Sequence, residues 1–338
     1  MDKLTLLLVA IVAAIVLGYG AGPVAAHIPE STGAYGWPVK PFDQPHPIRG
    51  GFGDPRTVFL GPPTPRTLME SGGSFQFHFG VDISAPDGTA VYPVESGTVA
   101  SVNFDWIAVN SGDRAFQYWH IRPEVTVGEH VDMDTTVLGH ILRGQGHVHL
   151  TELDGGFVVN PLQPGHLTPY ADHTTPRVAF VEFRDGVTGP TVMPGLLRGS
   201  VEMIASAYDM PALPVPGEWH GLPVTPAVVE WRIDSARTGK TVVPTHVVFD
   251  VRRSLPPNSE FWTVFARGTY QNMSVFGTHY SYMQPGAYLF RLTPGGFDTT
   301  KLGDDVYDLV VTVSDTAGNQ SSYVQRFSVH NRPGVVGV

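Results

Sequence analysis

Residues 144–150 spell GQGHVHL, placing His147 and His149 one residue apart between glycines and an apolar run. In an extended strand, side chains at i and i+2 leave from the same face, so both imidazoles address the same space. Upstream, the stretch FHFGVDIS offers His78 and Asp82 four positions apart. Fully extended, their Cα atoms would stand about 13 Å apart at ~3.3 Å per residue, too far to share one ion with bonds of ~2 Å. Gly80 between them lets the backbone turn, which brings both side chains within joint reach. His78, Asp82 and one histidine of the pair then make three nitrogen and oxygen ligands with a fourth position for water. That is the open arrangement of a catalytic zinc site. Water on zinc loses proton affinity, to a pKa of ~7 in favourable cases, and the ion also polarises a carbonyl. A proton acceptor and a partner for an oxyanion are still required. The unused histidine of the pair and one from elsewhere can supply them, although strand geometry does not say which of His147 and His149 holds the metal.

The elements that must position these groups are strands. Glycine (38) and proline (30) make up about a fifth of the 338 residues, which disfavours long helices and points to turns joining short strands. An all-β fold is the expectation. A hydrophobic content of 42% with 15% charged residues provides for a core and excludes global disorder. The net charge of −10 argues against nucleic acid as a partner. With no cysteine, any metal site must use nitrogen and oxygen donors.

The length suggests about two domains at ~150 residues each. Residues 1–26 carry one lysine, an apolar run from Leu4 to Leu17 and a small-residue exit at Val24-Ala25-Ala26. They are expected to be a cleaved export signal, leaving no transmembrane segment in the mature chain, with an uncleaved anchor as the alternative. Residues 27–54 are an irregular, proline-rich lead-in. Short β-branched and aromatic runs follow (GTVASV, WIAVN, AFQYWHI, HVHLTEL), and they fit one compact antiparallel β domain over 27–160. A proline-dense linker is expected over 161–176. Residues 177–332 carry strand-like runs at spacings that suggest a β-sandwich. In its turn Asp315-Thr316-Ala317-Gly318-Asn319, the aspartate is read as turn-forming.

In chain order the sequence carries Gly51-Phe52-Gly53-Asp54-Pro55-Arg56, then His78-Phe79-Gly80-Val81-Asp82-Ile83 followed by Ala85-Pro86 and Gly88-Thr89. Gly97-Thr98-Val99, Tyr118-Trp119-His120-Ile121 and His147-Val148-His149-Leu150 come after these. The series resembles the lysostaphin/LytM-type metallopeptidases, zinc endopeptidases that cut stem or cross-link peptides of bacterial peptidoglycan, over residues 50 to 152. The resemblance implies one zinc ion held by His78, Asp82 and His149, with His120 and His147 as the catalytic pair. It implies a monomeric, exported (periplasmic, cell-surface or secreted) metalloendopeptidase whose partners are peptidoglycan peptides. The alternative is a non-catalytic relative that binds wall peptides or regulates another hydrolase. Such relatives usually lack metal ligands, and here none is missing. The C-terminal sandwich resembles bacterial immunoglobulin-like modules.

One departure from the family pattern stands out. Many relatives carry an acidic residue two positions after the second histidine of the pair, where this chain has Thr151, and Glu152 falls on the opposite face of the strand. Tyr118 is expected to share a strand face with His120, either placing it or packing as an ordinary core tyrosine.

Overall fold

Short runs of β-branched and aromatic residues, closed by glycine turns, pair here almost entirely with antiparallel neighbours, and the fold is all-β. The computed structural model describes residues 33–59, 73–187, 189–274 and 283–331. The expected signal over 1–26 lies outside them.

The first half contains β1 (Ile48–Gly50), β2 (Pro55–Phe59), β3 (Gly73–Phe77), β4 (Val81–Ser84), β5 (Ala90–Val91), β6 (Gly97–Val102), β7 (Trp106–Ser111), β8 (Arg114–Trp119), β9 (Ile121–Pro123), β10 (His130–Val131), β11 (Gly139–Ile141), β12 (His147–Asp154) and β13 (Phe157–Val159). Its main sheet runs β1-β4-β12-β8-β7-β6-β10, with β13 paired to β12. A smaller sheet, β5-β11-β9, and the β2–β3 pair complete it. The lead-in that composition marks as irregular thus ends in a strand, because β1 finds a pairing edge on β4.

The central strand β12 is covered on both faces, and seven of its eight residues are buried. Alternation sends His147, His149 and Thr151 to one face and Val148, Leu150 and Glu152 to the other. Val148 and Leu150 enter the hydrophobic core beside Val81, Ile83, Phe116 and Tyr118. Glu152 is fully buried and would be costly alone. It accepts hydrogen bonds from the Tyr35 hydroxyl (2.5 Å) and from His166 Nδ1 (2.8 Å). His166 lies in the proline-dense stretch expected as a linker. That stretch is pinned to the first half at several points: Tyr35 N–H donates to the His166 carbonyl, Thr168 N–H to the Tyr35 carbonyl, and Trp37 Nε1 to the Pro169 carbonyl.

In the second half, Thr191–Val192, Arg177–Asp185, Ser200–Tyr208 and Leu289–Arg291 form one sheet, which Phe297–Asp298 extends. Thr241–Asp250, Val228–Ser235, Val306–Ser314 and Gln320–Ser328 form another. Phe183 of the first sheet meets Phe327 of the second with ring centroids 5.6 Å apart. Tyr307, Leu309, Val311 and Val313 are buried, as the alternation in sequence predicts. The described residues, from Gly33 onward, belong to a single contact unit. The β2–β3 pair joins the halves: Phe77 packs against Phe249, Phe261 and Phe265, and Phe75 against Phe261 and Trp262. Buried aromatics of this size dominate the energy of such a contact.

Candidate metal centre

The His78 side chain is positioned by the turn Gly51–Asp54. Its backbone N–H donates to the Asp54 carbonyl (2.9 Å), and its carbonyl accepts from Gly53 N–H (2.9 Å). Its Nδ1 lies 2.7 Å from the Gly51 carbonyl. A carbonyl only accepts, so Nδ1 carries the proton and the Nε2 lone pair points inward. The chain leaves β3 at Phe77 and enters β4 at Val81. Gly80 serves this passage by close approach: a Cβ there would stand 2.3 Å from the Leu150 carbonyl oxygen and 2.7 Å from His149 Nε2.

Asp82 on β4 and His149 on β12 are register partners, so their side chains meet across the ladder. His78 Nε2 is 2.8 Å from His149 Nδ1 and 3.2 Å from Asp82 Oδ1, and His149 Nδ1 is 3.1 Å from Asp82 Oδ1. The three groups offer ligand atoms within 4.8 Å of one another and could hold a metal ion. His149 Nε2 lies 2.8 Å from Thr151 Oγ1, so the hydroxyl can accept its proton and free Nδ1 for the ion. Thr151 thereby takes the place expected of a second carboxylate. Nitrogen and oxygen donors brought together at these distances repel as lone pairs unless a proton or a cation lies among them, and the donor set suits zinc.

Arg56 holds the other side of the carboxylate, with Nη2 2.6 Å from Asp82 Oδ2. This pair requires glycine at residue 50, where a Cβ would come within 2.5 Å of Asp82 Oδ2 and 2.6 Å of Arg56 Nη2. Burial works against ionisation of Asp82, but the His78 imidazole and the Arg56 guanidinium hold its carboxyl well below the usual range. Asp54, buried beneath the turn, accepts from Gly51 N–H and Thr225 N–H. Burial raises its pKa to about 6 against the pull of Arg56 and those two donors. Since Thr225 belongs to the second half of the chain, that half helps hold the turn that orients His78.

His147 Nδ1 lies 2.7 Å from the Gln145 carbonyl, which leaves Nε2 unprotonated 3.5 Å from Asp82 Oδ1. His120 sits just past β8 with φ +67°, a left-handed conformation uncommon outside glycine and favoured at functional sites. Its ring stands 4.5 Å from that of His147. The reversal breaks strand alternation, so Tyr118 does not share a face with His120. Tyr118 is instead fully buried, and its hydroxyl accepts from Val94 N–H.

Burial lowers all four imidazoles, to about 4 for His120 and His149 and about 3 for His147. They are neutral at pH 7, as ligands and proton acceptors must be. The five side chains picked out in sequence are therefore brought together. Sequence reasoning missed Arg56 and Thr151 as partners of the ligands, although Arg56 ends a quoted motif. Phe79 and Trp119 wall the site beside His149, at centroid distances of 4.8 and 6.4 Å.

No family model matches the sequence. No curated protein matches it either. Among solved structures, the chain is similar to one from the SpoIIQ–SpoIIIAH pore-forming complex, at 18% identity over 39% of this chain and 90% of that one, with a TM-score of 0.30. It is similar to the catalytic domain of the antimicrobial peptidase lysostaphin from Staphylococcus simulans, at 22% identity over 33% of this chain and 86% of that one, with a TM-score of 0.25. It is also similar to the M23 metalloprotease pseudoalterin from the deep sea, at 16% identity over 44% of this chain and 82% of that one, with a TM-score of 0.28. Each likeness spans less than half of this chain.

Proposed function

We propose that this chain is an exported zinc endopeptidase that hydrolyses peptide bonds of bacterial peptidoglycan. The observation that carries the reading is the convergence of His78 Nε2, Asp82 Oδ1 and His149 Nδ1, with two further neutral imidazoles alongside. The peptidoglycan substrate is drawn from the ordered motif series, and export from the apolar run over Leu4–Leu17. His78, Asp82 and His149 would hold the ion. Zinc, when bound there, would supply Lewis acidity and ease deprotonation of water.

The chain's own residues have separable tasks. Arg56 keeps Asp82 ionised, while Thr151 and the Gly51 carbonyl fix the tautomers of the two ligand imidazoles. His147 Nε2 faces the centre with its lone pair free and can take a proton. His120, donating through its own N–H, can steady a developing oxyanion. His147 is buried and His120 partly so, which strengthens any charge interaction they make.

The test is cleavage of purified peptidoglycan by the residue 27–338 protein, read by mass spectrometry, for wild type and His147→Ala. New peptide termini are expected with wild type only. Zinc binding without cleavage of any wall peptide would favour the non-catalytic reading.

A further inference from the structure

Arg49 lies on β1, immediately before the glycine that admits the Arg56–Asp82 pair. Among the described residues it forms no hydrogen bond and no ion pair, and its Nε is a buried donor without a partner. A buried donor without a partner is costly and calls for one. Asp82 does not meet that need, because its outer oxygen already accepts from Arg56. Asp87 is engaged elsewhere, accepting from Gly144 and Gly146 N–H at 2.6 and 2.8 Å. Glu218 is exposed.

The guanidinium is nonetheless well placed. Its central carbon lies 4.2 Å from the Trp219 ring centroid, a cation–π contact that restrains the long side chain. Nη1 comes within 3.6 Å of where a Cβ on Gly146 would stand, so it lies against the turn that carries His147. A divalent ion, if held by one carboxylate with Arg56 behind it, would leave this region positive. Arg49 adds to that charge where an anion would relieve it.

We propose that the Arg49 guanidinium, held over the Trp219 ring at the rim of the metal centre, receives a carboxylate of the bound peptide and so selects peptides that carry one beside the bond to be cut. Arg is the side chain whose planar donor fork matches a carboxylate. Trp219 comes from the second half of the chain, so that half contributes directly to the recognition surface. The carboxylate can be a chain terminus or an acidic side chain. This specificity role rests on the endopeptidase reading, but the guanidinium site itself does not.

The test is an NMR titration of chelator-stripped protein with three probes: acetyl-triglycine as the free acid, the same peptide as its amide, and an amide with one glycine replaced by aspartate. One or both carboxylate peptides are expected to bind about tenfold or more tightly than the plain amide, and which of them does so identifies the source of the carboxylate. The preference is expected to vanish in Arg49→Met, to be partly kept in Arg49→Lys and to weaken in Trp219→Leu, which serves if Arg49→Met fails to fold. Equal binding of all three probes to wild type would overturn the proposal, as would a preference that survives Arg49→Met or is unchanged in Trp219→Leu. If the preference is found but the zinc-loaded protein cuts no peptide, the carboxylate site stands and the endopeptidase reading falls.

Discussion

Among the described residues, two places bring three candidate ligands within 4.8 Å: His78, Asp82 and His149 in the first half, and Asp172, Asp209 and Asp315 where the proline-dense stretch meets the second half. All six residues are buried. In the first set two donors are neutral imidazoles, the carboxylate has an arginine behind it, and the outward ring nitrogens are held by Gly51 and Thr151. In the second set the protein's own donors turn inward. Thr174 N–H and hydroxyl and the Tyr170 hydroxyl reach Asp172, Met210 N–H reaches Asp209, and Asn319 caps Asp315 through its backbone and side-chain N–H. Burial then raises Asp209 to about 7, with Asp172 and Asp315 pushing the same way against the Met210 and Thr174 donors. One cluster has its lone pairs aimed at a common point. The other meets much of its need from within, and burial there favours the protonated form of Asp209.

The contrast can be broken most sharply at the ligands. Asp82→Ala or His149→Ala is expected to weaken zinc binding by more than about a hundredfold, measured by competition with a chromogenic chelator. Asp315→Ala should leave zinc affinity unchanged. His147→Ala should keep zinc but lower peptide cleavage by ~10²–10⁴-fold, as loss of a proton-transfer group does; steady-state kinetics on zinc-loaded protein checks this. Thr151→Val removes the hydroxyl beside His149 Nε2 and should weaken zinc binding by about tenfold, with Thr151→Ser close to wild type.

The smallest effect concerns pH. The folded-state pKa of Asp209 is raised, so the native protein holds this proton more tightly than the unfolded chain. Its contribution to stability is present near about pH 4 and is lost as pH rises towards about 7. Asp209→Asn should flatten that component of the slope. Urea midpoints taken with chelator present at about pH 4.5 and 7.5 would show it, as wild type minus variant so that the opposite trend of Asp82 cancels.

The same contrast explains what the sequence could disclose. His147 and His149 stand on one strand, and His78 and Asp82 on one short turn, so period and spacing announce them. Their supports were harder to see. Arg56 and Thr151 act through cross-strand register and ring tautomers, which no local spacing encodes. Gly80 was legible as a needed glycine, but its reason is contact with β12, a neighbour nearly seventy residues away. The cluster at Asp172, Asp209 and Asp315 comes from three separate stretches, each reading as an ordinary turn or strand end. Sequence predicted strands well where β-branched residues alternate, and missed β1 because proline and glycine around it mask a pairing supplied only by β4. The linker expected at 161–176 is instead tied down by Glu152, a residue marked in sequence only as lying on the far face.

The central claim is that His78, Asp82 and His149 together form a single metal site. Its most direct test is calorimetric titration of chelator-stripped protein with zinc, for wild type and His78→Ala. The account predicts one equivalent bound per wild-type chain and none at that affinity in the variant. No binding by wild type, or an equivalent retained in His78→Ala, would contradict it.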